Sequence, residues 1–184
     1  MKSQVRILAV LLAAAATQSA FASDGTINFE GQLLDSTCTV NVNGTVGPAA
    51  ATVTLPKVSA AQLKTAGTIA GQTGFNITLS ACSGTTTKAA AFFEAGANVD
   101  PLTHNLKNND KTKDGAQNVQ LQLVDANNGQ VIKAGDFSQV ANTSKVTKDA
   151  SGGAVLPYAV QYISTGVAAA GLVKGAVTYS ITYE

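Results

Sequence analysis

The chain ends on an alternating stretch, Ala176-Val177-Thr178-Tyr179-Ser180-Ile181-Thr182-Tyr183-Glu184. Large apolar or aromatic side chains occupy every odd position from Val177 to Tyr183, and small or polar side chains stand between them. Successive side chains of a β-strand point to opposite faces of the sheet, so this period of two predicts a strand with one buried face. A strand that runs almost to the last residue is unusual.

The same period of two recurs upstream. It covers Phe75 to Ala81, Val119 to Leu123 and Leu156 to Tyr162, and a turn at Asp125 to Gly129 leads to Val131 and Ile132. Pro157 is tolerable only near a strand start or on an edge. The best helical candidate is the short Ser59 to Thr65, a turn or two at most, and the charged Asn105 to Gly115 is typical of a solvated loop. Several short strands joined by Gly-, Asn- and Thr-rich connections predict an all-β, antiparallel sandwich of immunoglobulin-like size.

The first residues have the features of a secretory signal peptide. Lys2 and Arg6 precede an apolar run from Ile7 to Ala16, and Ala20-Phe21-Ala22 is a cleavage site of the small-x-small type. The run is too short to span a membrane, which takes about 20 apolar residues. We therefore expect residues 1–22 to be removed and the mature chain to begin at Ser23, outside the cytoplasm.

Export gives the two cysteines, Cys38 and Cys82, a structural role. In an oxidising compartment a lone pair has one possible connectivity, so a disulfide is expected. A bridge closing a loop of this length stabilises the fold by roughly 4 kcal/mol in the chain-entropy model. No Cys-x-x-Cys is present, and two cysteines with one histidine cannot form a tetrahedral zinc site without borrowed carboxylates, so no metal site is predicted.

Composition argues against catalysis and against nucleic-acid binding. Of the 184 residues only 12% are charged, and after the leader no arginine remains. Arginine is the residue best suited to bidentate phosphate or base recognition. His104 is the only imidazole, and the aspartates that could act as acid and base lie in turns where aspartate normally caps, namely Asp100, Asp110, Asp114, Asp125 and Asp136. We expect no enzyme activity, no cofactor and no small-molecule substrate.

The mature N-terminus carries a second alternating stretch, Gly25-Thr26-Ile27-Asn28-Phe29-Glu30-Gly31-Gln32-Leu33-Leu34. Its odd positions form an apolar strand face with a glycine inside it, where glycine normally costs stability. By itself this pattern favours an ordinary first strand with a bulge.

Three landmarks in order give the chain a resemblance to a known family. They are the N-terminal stretch ahead of Cys38, Gly74-Phe75-Asn76-Ile77 running to Cys82, and the ending from Leu156-Pro157 through Ser164-Thr165-Gly166 to Tyr183. Together they resemble the pilins of the chaperone-usher pathway, most closely the major subunits of type 1 fimbriae.

The resemblance implies an incomplete immunoglobulin-like antiparallel β-sandwich that lacks its last strand and is completed in trans by a donor strand. The expected organisation is a signal peptide at 1–22, a donor-strand extension at 23–35 and a pilin domain at 36–184. The expected function is that of a structural subunit of an adhesive surface fimbria, or pilus, that polymerises head to tail. Its expected partners are identical or related pilin subunits, a periplasmic chaperone and an outer-membrane usher, and it is exported through the periplasm to the cell surface.

The resemblance also assigns roles to residues. The donor strand would present Ile27, Phe29 and Leu33, with Gly31 opposite a shallow place in the acceptor groove. The last strand would form the groove edge and pair with the chaperone, and the carboxylate of the final residue would bind basic groups of the chaperone; these residues are Val177, Tyr179, Ile181, Tyr183 and Glu184.

Three other interpretations remain open from the sequence. A secreted carbohydrate-binding sandwich would need an aromatic platform, for which Phe92, Phe93 and Phe137 are the candidates. A small secreted hydrolase would need a nucleophile, acid and base that are not visible. A minor adaptor pilin of the same pathway, in place of a main shaft subunit, fits the sequence as well.

Overall fold

The computed structural model of the chain describes residues 27–184. The predicted signal peptide at 1–22 and residues 23–26 of the predicted extension lie outside the described residues. The described chain divides after Leu33 into a short N-terminal segment and a unit that spans Leu34–Glu184.

The unit that begins at Leu34 is all-β, as predicted. It contains a short 3₁₀ helix at Ala60–Gln62, one short helix α1 at Ser138–Asn142, and ten strands. The strands are β1 (Thr39–Val42), β2 (Thr45–Val46), β3 (Ile69–Ser80), β4 (Lys88–Phe93), β5 (Leu106–Lys107), β6 (Gln117–Asp125), β7 (Val131–Ile132), β8 (Val146–Thr147), β9 (Ala154–Ala169) and β10 (Tyr179–Tyr183).

The strands form two sheets. The larger has the order β2-β1-β3-β9-β6-β5, with β7 paired to β6, and the smaller has the order β10-β4-β8. Every named strand pair is antiparallel. The core is made by the inward positions of both sheets, and its largest fully buried apolar side chains are Ile77, Leu79, Leu156 and Phe93. The predicted sandwich is therefore confirmed.

The long strand β9 lies between β3 and β6 and contains Pro157, the fourth residue of the strand. The Pro157 carbonyl accepts from the Ala126 N–H, at 3.3 Å, just beyond the end of β6 at Asp125. In an antiparallel strand the N and the carbonyl of one residue face the same side. The nitrogen that cannot donate therefore faces the chain just beyond the end of β6, so at most one hydrogen bond is lost, at the terminus of the ladder.

Cys38 and Cys82 form a disulfide. The first precedes β1 and the second follows β3, and the two strands are already paired at Thr39 and Ser80. The bond therefore closes the end of an existing ladder. Just outside it, Ser83 N–H donates to the Thr37 carbonyl at 2.8 Å, which continues the pairing by one step.

One local prediction needs correction. The charged stretch Asn105 to Gly115 is not simply a solvated loop, because it contains β5 and buries the polar side chains of Asn105, Asn108 and Asp110. The helical candidate Ser59 to Thr65 forms one 3₁₀ turn, within the turn or two predicted, which the Ser59 hydroxyl caps by accepting from the Ala61 N–H at 3.2 Å.

Candidate functional site: an apolar groove beside the last strand

An open cavity of about 1060 Å³ lies beside β10. Its floor is the inner face of the large sheet, where β1, β3, β6 and β9 contribute Val40, Ile77, Leu123 and Val160. No charged residue is among those that line it. The lining therefore offers dispersion and apolar burial to an occupant and has no acid, base or metal ligand to offer.

The first wall of the groove is the C-terminal stretch. Val177, Tyr179 and Ile181 are half-buried and line the cavity, while the residues between them are exposed. Tyr183 is half-buried in the same alternation, but it and Glu184 lie outside the lining. Burial raises the pKa values of the Tyr179 and Tyr183 hydroxyls, so both stay neutral at physiological pH.

The backbone of this wall is paired on one side. The Thr178 carbonyl accepts from Glu94 N–H at 2.9 Å, and Glu184 exchanges two hydrogen bonds with Lys88, both at 2.9 Å. In an antiparallel pair successive residues direct their N–H and C=O groups alternately toward and away from the partner. The even positions therefore face β4, and the N–H and C=O groups of the odd positions, including Tyr179 and Ile181, face the groove edge. Within residues 27–184 no strand pairs with that edge.

The second wall is an extended stretch that the secondary structure leaves unpaired. Ala51, Val53 and Leu55 are half-buried against the core, and the intervening Thr52 and Thr54 are exposed. This is the alternation of a strand, although no strand is assigned between residues 47 and 68. The groove is thus bounded on both sides by strand-like chain that lacks a neighbour on the groove side.

The two walls run in opposite directions. The second wall begins where Gly47 N–H donates to the Val40 carbonyl and ends at Pro56, whose carbonyl accepts from the Tyr162 hydroxyl at 3.3 Å. Tyr162 is paired with Leu121. The second wall therefore runs from the disulfide end of the groove to the end at Leu121.

The first wall starts at the Leu121 end, since a Cβ on Gly175 would lie 2.8 Å from the Leu121 Cδ1. It finishes at Glu184, whose main-chain oxygen accepts from Thr87 N–H at 2.7 Å. The neighbouring Thr86 hydroxyl bonds that of Ser36, two residues before the disulfide, at 2.9 Å. A strand laid between the walls would be parallel to one and antiparallel to the other.

The last residue is held within the chain. In addition to the main-chain bonds of Glu184, its side-chain carboxylate forms an ion pair with Lys145. The end of β10 is therefore anchored before any partner binds.

The N-terminal segment has the alternation of a strand and no secondary structure of its own. Its apolar side chains are almost fully exposed, Ile27 by 78%, Phe29 by 90% and Leu33 by 100%. A Cβ built on Gly31 would meet no atom within 4 Å. Large apolar side chains exposed at every second position are costly in water, so this segment has the character of an unpaired strand.

The residues considered for catalysis serve local structure. His104 bonds the Ala134 carbonyl through Nδ1 at 3.1 Å, and its Nε2 lies 3.9 Å from Asp136. Four of the five aspartates accept from the backbone N–H two residues ahead, as predicted for turn-capping residues: Asp100, Asp110, Asp125 and Asp136. No cluster of His, Cys, Asp and Glu among residues 27–184 could hold a metal ion.

The candidate aromatic platform is not flat. Phe93 is a core residue with 1% exposure, and the Phe92 and Phe137 rings are tilted by 55° with centroids 6.0 Å apart. Only Phe137 is strongly exposed, at 83%.

Sequence reasoning missed the second wall and the close approach of Gly175 to Leu121. The signal for the wall was present, because Ala51-Thr52-Val53-Thr54-Leu55 alternates like the four stretches identified as strands. Gly175 gave no signal, because its closeness to Leu121 arises from a long-range contact.

Comparison with known proteins identifies relatives among fimbrial subunits. The family model described as FimA, type-1 fimbrial protein, A matches residues 55–184. The F17 fimbrial protein of Escherichia coli is 38% identical over 98% of this chain and 99% of its own length. The major fimbrial subunit SMF-1 of Stenotrophomonas maltophilia is 41% identical over 93% of this chain and 99% of its own.

Solved structures agree on the fold. The P pilus rod subunit PapA superposes with a TM-score of 0.55 at 16% identity, over 80% of this chain and 99% of that one. An antigen and type I fimbria protein of Burkholderia pseudomallei gives a TM-score of 0.53 at 24% identity, over 80% of this chain and 95% of that one.

The chain belongs to the type-1 fimbrial protein family. It is a structural pilin of chaperone-usher fimbriae and is exported to the cell surface. Between residues 27 and 184 there is no helix both long and apolar enough to span a membrane.

Proposed function

We propose that the subunit polymerises by donor-strand exchange, in which residues 23–35 of one copy fill the groove of the pilin domain, residues 36–184, of the next. Donation of this kind is head to tail and does not close on itself, so it produces a filament. The carrying observation is the open apolar groove of about 1060 Å³ between two strand-like walls whose groove-side backbone has no partner.

The N-terminal segment has the chemistry that such a groove requires. Ile27, Phe29 and Leu33 are exposed apolar side chains on one face of an alternating stretch, and the groove lining is uncharged. Strand addition of this type gains affinity from backbone hydrogen bonds and register from side-chain pockets. Burying three such side chains at about 1.5–3 kcal/mol each contributes roughly 5–9 kcal/mol before hydrogen bonds are counted.

Gly31 sets the register in this proposal. Its position between Phe29 and Leu33 on the same face would place it over a shallow part of the groove, where a side chain would clash. Its surroundings are open in the free segment, so the glycine is not needed by the segment itself. The requirement for a small residue is therefore assigned to the acceptor.

Before assembly, a periplasmic chaperone would occupy the same edge, and an outer-membrane usher would then accept the subunit. The chaperone would pair with the groove-side backbone of β10 along Val177, Tyr179, Ile181 and Tyr183. Its basic groups would bind the carboxylate of Glu184. Because Lys145 pairs with the Glu184 side chain and one main-chain oxygen of Glu184 accepts from Thr87 N–H and Lys88 N–H, the second oxygen of the main-chain carboxylate would be the group that binds the chaperone.

The test is a chain that lacks residues 23–34, co-expressed with its chaperone and then offered a synthetic peptide of residues 25–34. We expect the shortened domain to fold on the chaperone and the peptide to convert it into a far more stable species, measured by thermal melting. A peptide with Gly31→Leu should fail, and a matched peptide with Asn28→Ser, altered on the opposite face, should work as well as wild type.

If the N-terminal segment is instead an ordinary strand of its own domain, the deletion should prevent folding. Equal performance of the Gly31→Leu and Asn28→Ser peptides would contradict the register proposed here.

We further propose that the subunit forms the fimbrial shaft. Support comes from the near-complete length over which it matches SMF-1, whose own name describes a major subunit. Negative-stain microscopy of cells expressing the subunit with its chaperone and usher should reveal long fibres. Their absence while secretion proceeds would favour a minor adaptor.

A further inference from the structure

The short helix α1 buries a polar side chain and leaves apolar side chains exposed. Its one buried side chain is Gln139, at 3% exposure. Val140 beside it is 47% exposed and Phe137, at the helix N-cap, is 83% exposed. Burying an amide while an adjacent apolar side chain stays in water is unfavourable unless the amide has specific partners.

Two of its three hydrogen bonds go to the backbone of β4, and the third goes from its Nε2 to the Asp136 carbonyl at 3.2 Å. The Gln139 Oε1 accepts from the Phe93 N–H at 2.9 Å, and its Nε2 donates to the Phe93 carbonyl at 3.0 Å. The two groups of one residue are thus satisfied by one side chain. A primary amide has the same donor and acceptor as a peptide group, so Gln139 takes the place of a residue on a neighbouring strand.

This contact completes a row along the second edge of β4, the edge opposite β10. The even residues of β4 face β10, so the odd ones face outward. Ala89 is paired with Val146 of β8, and Ala91 N–H donates to the Tyr158 hydroxyl at 2.8 Å. Phe93 is the last of the row and depends on Gln139, with Gly135 N–H also donating to its carbonyl at 2.8 Å.

We propose that Gln139 is a positioning residue for assembly: its side-chain amide closes the second edge of β4, so that strand addition is directed to the groove edge of β10 alone. An unpaired edge is a template for association with another chain. A subunit built to accept a strand at the free edge of β10 forms a defined filament only if the part of β4 that β8 leaves uncovered is closed. The inference rests on the proposed strand addition at β10.

The test compares Gln139→Met with Gln120→Met. The first variant keeps the length of the side chain and removes its hydrogen bonds to the backbone of Phe93. Gln120 is also buried, at 8%, and bonds Asp100, Thr103 and Asn105 away from β4. It controls for the general cost of removing a buried amide. The full-length chain is used with its groove filled by excess peptide 25–34, and self-association is followed by sedimentation velocity.

With the groove filled, wild type and Gln120→Met should remain monomeric, whereas Gln139→Met should continue to associate. In hydrogen exchange on the same samples, the Phe93 amide of Gln139→Met should exchange about tenfold or more faster than that of wild type. The Phe92 amide, on the side facing β10, should be unchanged.

If Gln139→Met does not fold, Gln139→Glu provides the second variant, because its carboxylate still accepts from Phe93 N–H but cannot donate to the carbonyl. Its Phe93 amide should remain protected while association still increases. A monomeric Gln139→Met with normal Phe93 protection overturns the proposal. Failure of wild type to bind the peptide would count against the strand-exchange function, and Phe93 exchange in the full chain would still decide the role of Gln139.

Discussion

The N-terminal segment and the C-terminal stretch have the same sequence pattern, but only the C-terminal stretch is paired in a sheet. Residues 27–33 and the C-terminal stretch from Val177 both alternate large apolar with polar or small side chains. At the C-terminus the large side chains are half-buried and the backbone is paired with β4, whereas Ile27, Phe29 and Leu33 are 78–100% exposed and in no strand.

The two segments differ in structure because only the C-terminal one has a strand beside it to pair with, and not because their sequence patterns differ. Alternation makes a segment able to form a half-buried strand, but a single strand has no stability without a paired backbone and an apolar face to cover. Strand β10 has β4 on one side and open backbone on the other. Under the proposed strand exchange, residues 27–33 of one copy would gain a paired backbone, and the open edge of β10 in a second copy would gain a neighbouring strand.

The largest effect should come from shortening the paired end. Deleting Tyr183 and Glu184 removes the Ala89 pair of β10, the bonds of Glu184 to Thr87 and Lys88, and the ion pair with Lys145. Without this anchor the groove wall loses its register. Co-purification with the chaperone should be abolished, as measured by affinity pull-down from periplasmic extracts, and recovery at wild-type levels would refute the role given to β10.

A smaller effect is expected at the unpaired end. Phe29→Ala should weaken each joint of the fibre by about 3–5 kcal/mol, the usual cost of emptying a buried aromatic site. The monomeric domain should melt as before, because Phe29 is 90% exposed in the free chain. Denaturant-driven disassembly of purified fimbriae measures the first quantity, with Asn28→Ser as the control, and a matching loss in the monomer would mean that the segment belongs to its own domain.

The smallest effect is expected from the hydrogen bond between Tyr158 and Ala91 of β4, the strand that pairs with β10. Burial raises the pKa of Tyr158 to about 12, although the hydrogen bond that its hydroxyl accepts from Ala91 N–H lowers the pKa. Tyr158→Phe should cost about 1 kcal/mol at neutral pH through the lost hydrogen bond.

The sign of the pH dependence follows from that raised value. Folding favours the neutral hydroxyl, so the stability that Tyr158 provides is complete below its ordinary pKa near 10 and is lost as the pH rises toward about 12. The advantage of wild type over Tyr158→Phe should therefore shrink between those two values in thermal melts of purified fimbriae. An advantage that stays constant across this range would contradict the assignment of the raised pKa to Tyr158.

The sequence predicted the strands in which apolar residues alternate with polar or small ones. Strands β3, β6, β9 and β10 were each indicated by their period of two. It missed β4, because Ala89, Ala90 and Ala91 are all buried and the strand has no alternation to detect. Strands covered on both faces lose the signal that half-buried strands carry.

The site was predicted in the same partial way. The groove-side positions of the last strand follow from alternation, and the same signal is present, though it was missed, at Ala51 to Leu55. The partners of Gln139 depend on contacts between segments far apart in the chain. Gln139 in particular lies between Ser138 and Val140, and nothing in this local sequence distinguishes it from a surface residue. Its role depends on Phe93, which is 46 positions away.

The disulfide has a mechanical consequence for a fibre joined as proposed. Tension from the donated strand enters each domain through residues 34–37 and reaches Cys38. Without a crosslink the load would continue into β1, which is only four residues long. The bond to Cys82 diverts part of it into β3, twelve residues long and paired along most of its length with β9. A pull along such a ladder loads many hydrogen bonds at once, in shear, so the covalent link protects the short strand β1 when the fibre is stretched.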